Sequence, residues 1–212
     1  MIPEQSVTIP VAAGLSLEGA LALPDEPASG VVLCHPHPRY GGDMDSPVVT
    51  TAAGACQGQG LATLRFNFRG IGGSQGAWDE GRGEQDDVRA ALSFLGQRLS
   101  PTAALALAGY SFGASMAARV AAGSDRLAGL ALIAPALASP GWQPLSAFHV
   151  EGPILLVAGR DDQYCPPDAL TTLGRMIPAA TIIVVDGTDH FFFTALEALA
   201  SAVAGWASRI KR

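Results

Sequence analysis

The sequence of 212 residues has few charges and lacks the features of nucleic-acid-binding and membrane proteins. Only 15% of its residues are charged, the formal net charge is −6, and Lys and Arg form no cluster. An acidic chain without a basic patch is poorly suited to neutralise phosphate groups, which argues against nucleic acid or an anionic membrane as a partner. No apolar run approaches the roughly 18 residues that a membrane span needs.

Targeting signals and paired cysteines are also missing. The first residues show neither the basic segment nor the apolar segment of a secretory signal. The three cysteines, Cys34, Cys56 and Cys165, are odd in number, widely spaced and without a CxxC pair, so they predict no disulfide framework. We therefore expect a cytoplasmic protein with free thiols.

Apolar residues, in contrast, are abundant and make up 49% of the chain. Continuous apolar runs recur at 31–34, 61–68, 103–108, 127–134, 153–158 and 181–185. Strands that are buried on both faces have this pattern, whereas half-exposed strands alternate. Helix-like patterns lie between the runs, near 46–58, 84–99, 113–122, 167–176 and 192–209.

The alternation of strand and helix patterns predicts an α/β fold. Its sheet should be mostly parallel and doubly wound, with helices on both faces. Residues 7–11 and 17–23 alternate around a short turn and predict an antiparallel hairpin at the sheet edge. The hairpin and the six runs give eight strands, and the length of the chain suits one domain over residues 1–212.

Residues 109–113 read Gly-Tyr-Ser-Phe-Gly and stand between a strand pattern and a helix pattern. In that context G-x-S-x-G is typical of a nucleophile elbow, a tight turn that presents a serine at a helix N-terminus. The glycines leave room for the turn, and the helix N-terminus favours a developing oxyanion. Ser111 is therefore the candidate nucleophile, against the alternative of a structural Gly-Ser turn.

A nucleophilic serine needs a histidine base and an acid that orients the histidine. In folds with this elbow the acid and then the histidine follow the serine along the chain. His190 lies in the loop after the last predicted strand, while His149 is predicted to be a surface residue. The acid should follow the strand at 153–158, where Asp161 and Asp162 are both candidates.

The oxyanion also needs a second backbone N–H, from the loop after an earlier strand. Residues 35–38 read His-Pro-His-Pro, and proline has no N–H to donate. The candidate donors are therefore the N–H groups of His37 and Phe112. His35 and His37 could alternatively form a metal pair, but no third ligand is clustered with them, and we expect neither a metal nor an organic cofactor.

These motifs together resemble those of a known family. The matching segments are HPHPxYGG at 35–42, RFNFRGIGGS at 65–74, GYSFG at 109–113 and DHFF at 189–192. They resemble the small, lidless bacterial α/β-hydrolases, which are carboxylesterase-like serine hydrolases distantly related to dienelactone hydrolases. The resemblance extends from about residue 17 to residue 206 and implies the α/β-hydrolase fold.

The resemblance also bears on the acid and on the nucleophile. In the family pattern the acid stands three residues after a glycine and four before a proline, which assigns the role to Asp162 and leaves Asp161 as a helper or a bystander. The chain departs from dienelactone hydrolases proper, which use cysteine as nucleophile, because its elbow carries Ser111. That departure argues against the dienelactone reaction.

The sequence thus predicts a serine hydrolase that cleaves small carboxylic esters through an acyl-enzyme. Ser111 attacks the ester, His190 transfers the proton, and Asp162 orients the imidazole. A thioesterase, an acyltransferase or a peptidase would use the same residues. The alternative from another class is a noncatalytic binding module, against which the three intact residues argue.

The segment at 136–152 is too short for a cap domain, so we predict an open site sealed at most by the loop with Trp142. Each buried methylene is worth ~0.8 kcal/mol, so a deep tunnel would make kcat/KM climb steadily with acyl length. A shallow site should instead favour acyl groups of roughly two to six carbons, without interfacial activation. Rates on p-nitrophenyl esters of graded acyl length test this, and a preference for twelve or more carbons would contradict it.

Overall fold

Strands and helices alternate along the chain in the computed structural model, which describes residues 2–123, 127–139, 142, 150–177 and 179–210. The strands are β1 (Glu4–Pro10), β2 (Ser16–Ala22), β3 (Ser29–Cys34), β4 (Ala62–Phe66), β5 (Ala104–Tyr110), β6 (Gly129–Ile133), β7 (Ile154–Gly159) and β8 (Ala180–Val185). The α-helices in the described ranges are α1 (Pro47–Gln57), α2 (Gly83–Gly96), α3 (Phe112–Ala122), α4 (Pro167–Met176) and α5 (Leu196–Ala207). Short 3₁₀ turns occupy Ala12–Gly14 and Pro38–Tyr40.

The eight strands form one sheet in the order β1-β2-β4-β3-β5-β6-β7-β8. β1 and β2 form an antiparallel hairpin, β2 pairs antiparallel with β4, and all other neighbours are parallel. The chain leaves β3 toward β4 and then returns to place β5 on the other side of β3. Ligands of open α/β sheets bind at such a switch point, beyond the carboxyl ends of the strands.

Burial along the strands agrees with the continuous apolar runs. Every residue of β3, β4, β6 and β7 is buried, which requires cover on both faces of the sheet. α1 packs beside α5, and α2 packs beside α3. The predicted eight-stranded, mostly parallel and doubly wound sheet is confirmed.

Predicted and observed boundaries differ by a few residues at several elements, and two of these differences lie near Ser111 and His190. β5 continues to Tyr110, two residues beyond the predicted run. α5 begins at Leu196 instead of residue 192, because Phe192 has a φ of 57° and a left-handed residue cannot belong to a right-handed helix. Phe192 is fully buried, so tertiary packing holds this local conformation.

The connection from β6 to β7 contains no helix in its described part, which comprises residues 134–139, 142 and 150–153. The described chain therefore carries no cap domain. No helix within the described ranges is both long and apolar enough to cross a membrane.

Candidate active site

Ser111 stands in the turn between β5 and α3 with φ 55° and ψ −113°. A positive φ is uncommon for a residue with a side chain, and such strain persists only where the surroundings enforce it. The backbone N–H of Ser111 donates to the carbonyl oxygen of Ile133 in β6 at 2.9 Å. The carbonyl oxygen of Ser111 accepts from the N–H of Ser115 at 3.2 Å. The predicted elbow is thus fixed to the neighbouring strand and to the first turn of α3.

The two glycines of the elbow are required for different reasons. A Cβ on Gly109 would lie 2.3 Å from the carbonyl oxygen of Gly113, so the first glycine permits the tight turn itself. A Cβ on Gly113 would lie 2.2 Å from the carbonyl oxygen of Cys34, at the end of β3. The second glycine therefore lets the elbow approach the loop that follows β3.

The structure brings Ser111, His190 and Asp162 together at this edge of the sheet. Nε2 of His190 lies 2.9 Å from Oγ of Ser111. Nδ1 of His190 lies 2.8 Å and 3.0 Å from the two carboxylate oxygens of Asp162. A carboxylate beside Nδ1 favours the tautomer with the proton on Nδ1, which leaves Nε2 to accept the serine hydroxyl.

Asp162 is the aspartate that reaches the imidazole. Its side chain is buried, and its Oδ1 also accepts the backbone N–H groups of Tyr164 at 2.8 Å and Cys165 at 2.9 Å. Asp161 is exposed, and its backbone N–H donates to the carbonyl oxygen of Thr188 at 3.1 Å. The spacing from the preceding glycine thus picks out the aspartate that contacts His190.

Tyr110 contacts the backbone of His190, a role that the sequence analysis did not predict. Its hydroxyl donates to the carbonyl oxygen of His190 at 3.0 Å. Burial raises the pKa of Tyr110 above its usual range, so the hydroxyl remains a donor. The only sequence signal was its place as a variable residue of G-x-S-x-G.

His37 and Phe112 lie side by side at the mouth of the elbow, with their ring centroids 5.0 Å apart. Both residues line the same cavity as Ser111 and His190. Within the described part of the chain, the backbone N–H groups of His37 and Phe112 have no hydrogen-bond acceptor. The two predicted oxyanion donors are therefore available to a ligand.

His35 anchors the loop that carries His37. It is fully buried, its Nε2 accepts the N–H of Phe68 at 3.0 Å, and its Nδ1 donates to the carbonyl oxygen of Pro36 at 2.6 Å. Because backbone groups occupy both ring nitrogens, His35 has no lone pair left for a metal. Nδ1 of His37 accepts the N–H of Arg39 at 3.2 Å. The alternative of a His35–His37 metal pair therefore has no support in this geometry.

A cavity of about 830 Å³ opens above Ser111 and His190. Much of its lining is aromatic, and Trp142 contributes to it as expected. Other aromatic lining residues are Tyr40, Trp78, Phe112, Tyr164, Phe191 and Phe193. The aromatic walls suit a largely apolar ligand. His149 lies outside the described residues.

The thiols are placed differently from the serine. All three cysteines are buried and free of disulfides. Cys165 is close to Asp162 in sequence, but burial raises the pKa of its thiol above the usual range. A thiol that remains protonated is a poor nucleophile, so Ser111 is the better candidate.

An eight-stranded, mostly parallel sheet with a serine at the β5–α3 elbow is the architecture of an α/β hydrolase. The chain belongs to the alpha/beta hydrolase domain family, and the match extends over residues 28–201.

Solved structures and a curated sequence agree with this assignment. An alpha-beta serine hydrolase homologue from Coxiella burnetii is 34% identical, with a TM-score of 0.87 over 97% of both chains. A serine hydrolase without lid from Xanthomonas campestris is 33% identical, with a TM-score of 0.84 over 97% of this chain and 94% of that chain. An uncharacterized protein of Rickettsia prowazekii is 32% identical over 88% of this chain and 82% of its own length.

The anchoring role of His35 predicts a pH-dependent stability. Burial lowers the pKa of His35 from 6.5 to about 4, so between these values the unfolded chain binds a proton that the folded chain does not. The free energy of unfolding should therefore fall as the pH drops from 6.5 to 4, by about 3 kcal/mol from this group. Urea unfolding at several pH values measures the slope.

The matched variant is His35→Gln, which keeps an acceptor for Phe68 but cannot titrate. We expect it to be less stable than the wild type at pH 7 and to lose less stability on acidification. Equal slopes for the two proteins would contradict this account of His35.

Proposed function

We propose that the protein is a serine hydrolase that cleaves carboxylic esters through a covalent acyl-enzyme. The observation that carries the proposal is the continuous hydrogen-bonded chain from Oγ of Ser111 through both nitrogens of His190 to Asp162. A nucleophile, its base and an orienting acid in hydrogen-bond contact are the parts that acyl transfer needs. The serine hydrolases among the similar structures support the same chemistry.

Acylation begins with a proton transfer. Nε2 of His190 takes the proton of Ser111 as Oγ attacks the ester carbonyl carbon. The negative charge that develops on the carbonyl oxygen is stabilised by the N–H groups of His37 and Phe112. His190 then gives its proton to the leaving alcohol, the bond between the carbonyl carbon and the alcohol oxygen breaks, and the acyl group remains on Ser111.

Deacylation repeats these steps with water in place of the serine. His190 takes a proton from the water, whose oxygen attacks the acyl carbonyl carbon. The proton then returns to Oγ as the bond to Ser111 breaks, which releases the carboxylic acid. Asp162 stabilises the imidazolium in both halves, and its own charge is held by the N–H groups of Tyr164 and Cys165.

The hydrogen bond from Tyr110 has a place in this mechanism. It ties the backbone of His190, on the loop after β8, to β5, the strand that carries the elbow. The base and the nucleophile come from strands that are three positions apart in the sheet. A direct hydrogen bond from the Tyr110 side chain to the His190 backbone limits the variation in the distance from Nε2 of His190 to Oγ of Ser111, on which proton transfer depends.

Removal of the nucleophile tests the proposal directly. Ser111→Ala should abolish ester hydrolysis and labelling by a fluorophosphonate probe, because the alanine offers no oxygen to acylate. The fold should be retained, since only a hydroxyl is lost. Ser93→Ala, at an exposed position of α2, is the matched control and should behave as the wild type. Undiminished hydrolysis by Ser111→Ala would refute the mechanism.

The two adjacent aspartates provide a second test. Asp162→Asn should lower kcat by a factor on the order of 10⁴, because an amide no longer holds the correct histidine tautomer. Asp161→Asn should have a much smaller effect, since that side chain is exposed. Steady-state rates on one p-nitrophenyl ester suffice for the comparison, and the opposite ranking would remove Asp162 from its role.

A further inference from the structure

Three exposed aromatic side chains form a cluster beside the imidazole of His190: Tyr164 and Phe191 contact the imidazole, and Phe193 contacts Phe191. The ring centroid of Tyr164 lies 4.8 Å from that of His190, at an interplanar angle of 56°. The ring of Phe191 lies 5.6 Å away and is nearly perpendicular to the imidazole, at 87°. Phe193 stacks on Phe191 at 5.8 Å, with the two rings almost parallel at 8°. All three line the cavity that contains Ser111.

Packing within the protein does not account for these rings. Phe192 is fully buried and belongs to the core, whereas Phe191 and Phe193 on either side of it are 46% and 70% exposed. Tyr164 is 50% exposed. Clustered exposed apolar side chains usually mark a binding surface. Here the cluster directly adjoins the proposed base.

The backbone holds the two phenylalanines in place. Phe192 has a φ of 57°, and its burial fixes this conformation. The N–H of Phe191 donates to Oδ1 of Asp189 at 3.0 Å, and this hydrogen bond closes a turn that contains His190. Phe191 and Phe193 are therefore presented to the cavity from a short segment with a defined conformation.

The chemistry of the proposed function decides which part of an ester meets these rings. Nε2 of His190 must donate its proton to the oxygen of the leaving alcohol, so that oxygen comes within hydrogen-bond distance of the imidazole. The group attached to the oxygen then extends past the side chains that pack around His190. The acyl group, in contrast, stays attached to the carbon bound to Ser111.

We propose that Tyr164, Phe191 and Phe193 form the leaving-group subsite and that this subsite takes an aromatic ring. The preferred substrates are then esters of aryl or arylmethyl alcohols, an inference that rests on the proposed ester hydrolysis. Aromatic rings pair in stacked or perpendicular arrangements with centroids 4.5–7 Å apart. A substrate ring placed on the exposed faces of Phe193 and Tyr164 would add a further aromatic pair to the existing Phe191–Phe193 and Tyr164–His190 pairs.

The test compares two esters that differ only in the aromaticity of the alcohol. Benzyl butyrate and cyclohexylmethyl butyrate have leaving groups of similar size and form the same butyryl-enzyme. Any difference in kcat/KM between them therefore arises before deacylation. We expect the kcat/KM of the wild type to be about five- to tenfold higher for the benzyl ester, because one or two aromatic contacts stabilise its ring by a corresponding amount.

Substitutions at the subsite should remove this preference. Phe193→Leu and Phe191→Leu should each bring the ratio of kcat/KM for the two esters closer to one, while Phe193→Trp should keep it. Met176→Leu is the matched control, because Met176 is an exposed apolar residue of α4 that does not line the cavity. Fluorophosphonate labelling of each variant shows that its active site is intact.

The outcomes separate the subsite from the proposed function. Equal kcat/KM for the two esters in the wild type, or a preference that both leucine variants retain, overturns the subsite alone. The subsite is also overturned if Phe193→Leu changes the preference between benzyl acetate and benzyl hexanoate instead, because the rings then contact the acyl group. If the wild type cleaves p-nitrophenyl esters but neither butyrate, the subsite alone is overturned. If the wild type cleaves none of these esters, or Ser111→Ala cleaves them as well as the wild type does, the proposed function fails and the subsite fails with it.

Discussion

The left-handed backbone of Ser111 is the local constraint on which the geometry of the site depends. A residue with a side chain at positive φ costs on the order of 1–3 kcal/mol, so the surrounding structure must enforce it. The enforcement comes from the hydrogen bond to Ile133 in β6 and from the close approach of Gly113 to the carbonyl oxygen of Cys34. Because the elbow is pressed against the end of β3, the loop that carries His37 lies beside the N-terminus of α3. The strain at Ser111 and the closeness of His37 and Phe112, the proposed oxyanion donors, thus result from one packing arrangement.

The proposed base, His190, and the proposed acid, Asp162, reach the serine from loops that follow strands farther along the sheet. Neighbouring strands lie about 4.8 Å apart, and β8 is three places from β5, so the loop after β8 must fold back over the sheet. Two of the contacts that hold it there involve β5 and β7. The hydroxyl of Tyr110, in β5, donates to the carbonyl oxygen of His190. Gly159, at the end of β7, lets the backbone of Thr188 approach closely, because a Cβ on residue 159 would lie 2.4 Å from the carbonyl oxygen of Thr188. The loop is therefore held against the sheet at Thr188 and at His190.

Asp162 and His35 are buried polar groups in and around the site, and both are matched by hydrogen bonds, as burial away from water requires. The carboxylate of Asp162 faces three N–H donors, two from the backbone of its own turn and one from the imidazole. His35 is buried as a neutral ring, which donates to one backbone carbonyl and accepts one backbone N–H. The positions of the functional groups are consequently set by the interior of the protein, while the aromatic rings at the rim are left free to meet a ligand.

The sequence by itself determined the fold class, the elbow at Ser111 and the position of His190 after the last strand, because continuous apolar runs and G-x-S-x-G reflect local and periodic requirements. The residues alone narrowed the acid to two adjacent aspartates, and the family resemblance favoured Asp162. Only the tertiary structure shows which of the two side chains contacts the histidine. Adjacent side chains after a strand point in different directions, and that of Asp162 contacts His190, which is 28 residues further along the chain. The same holds for three consecutive phenylalanines of identical chemistry. Phe192 enters the core and its neighbours face the cavity because of a backbone conformation that long-range packing imposes and that no local pattern encodes.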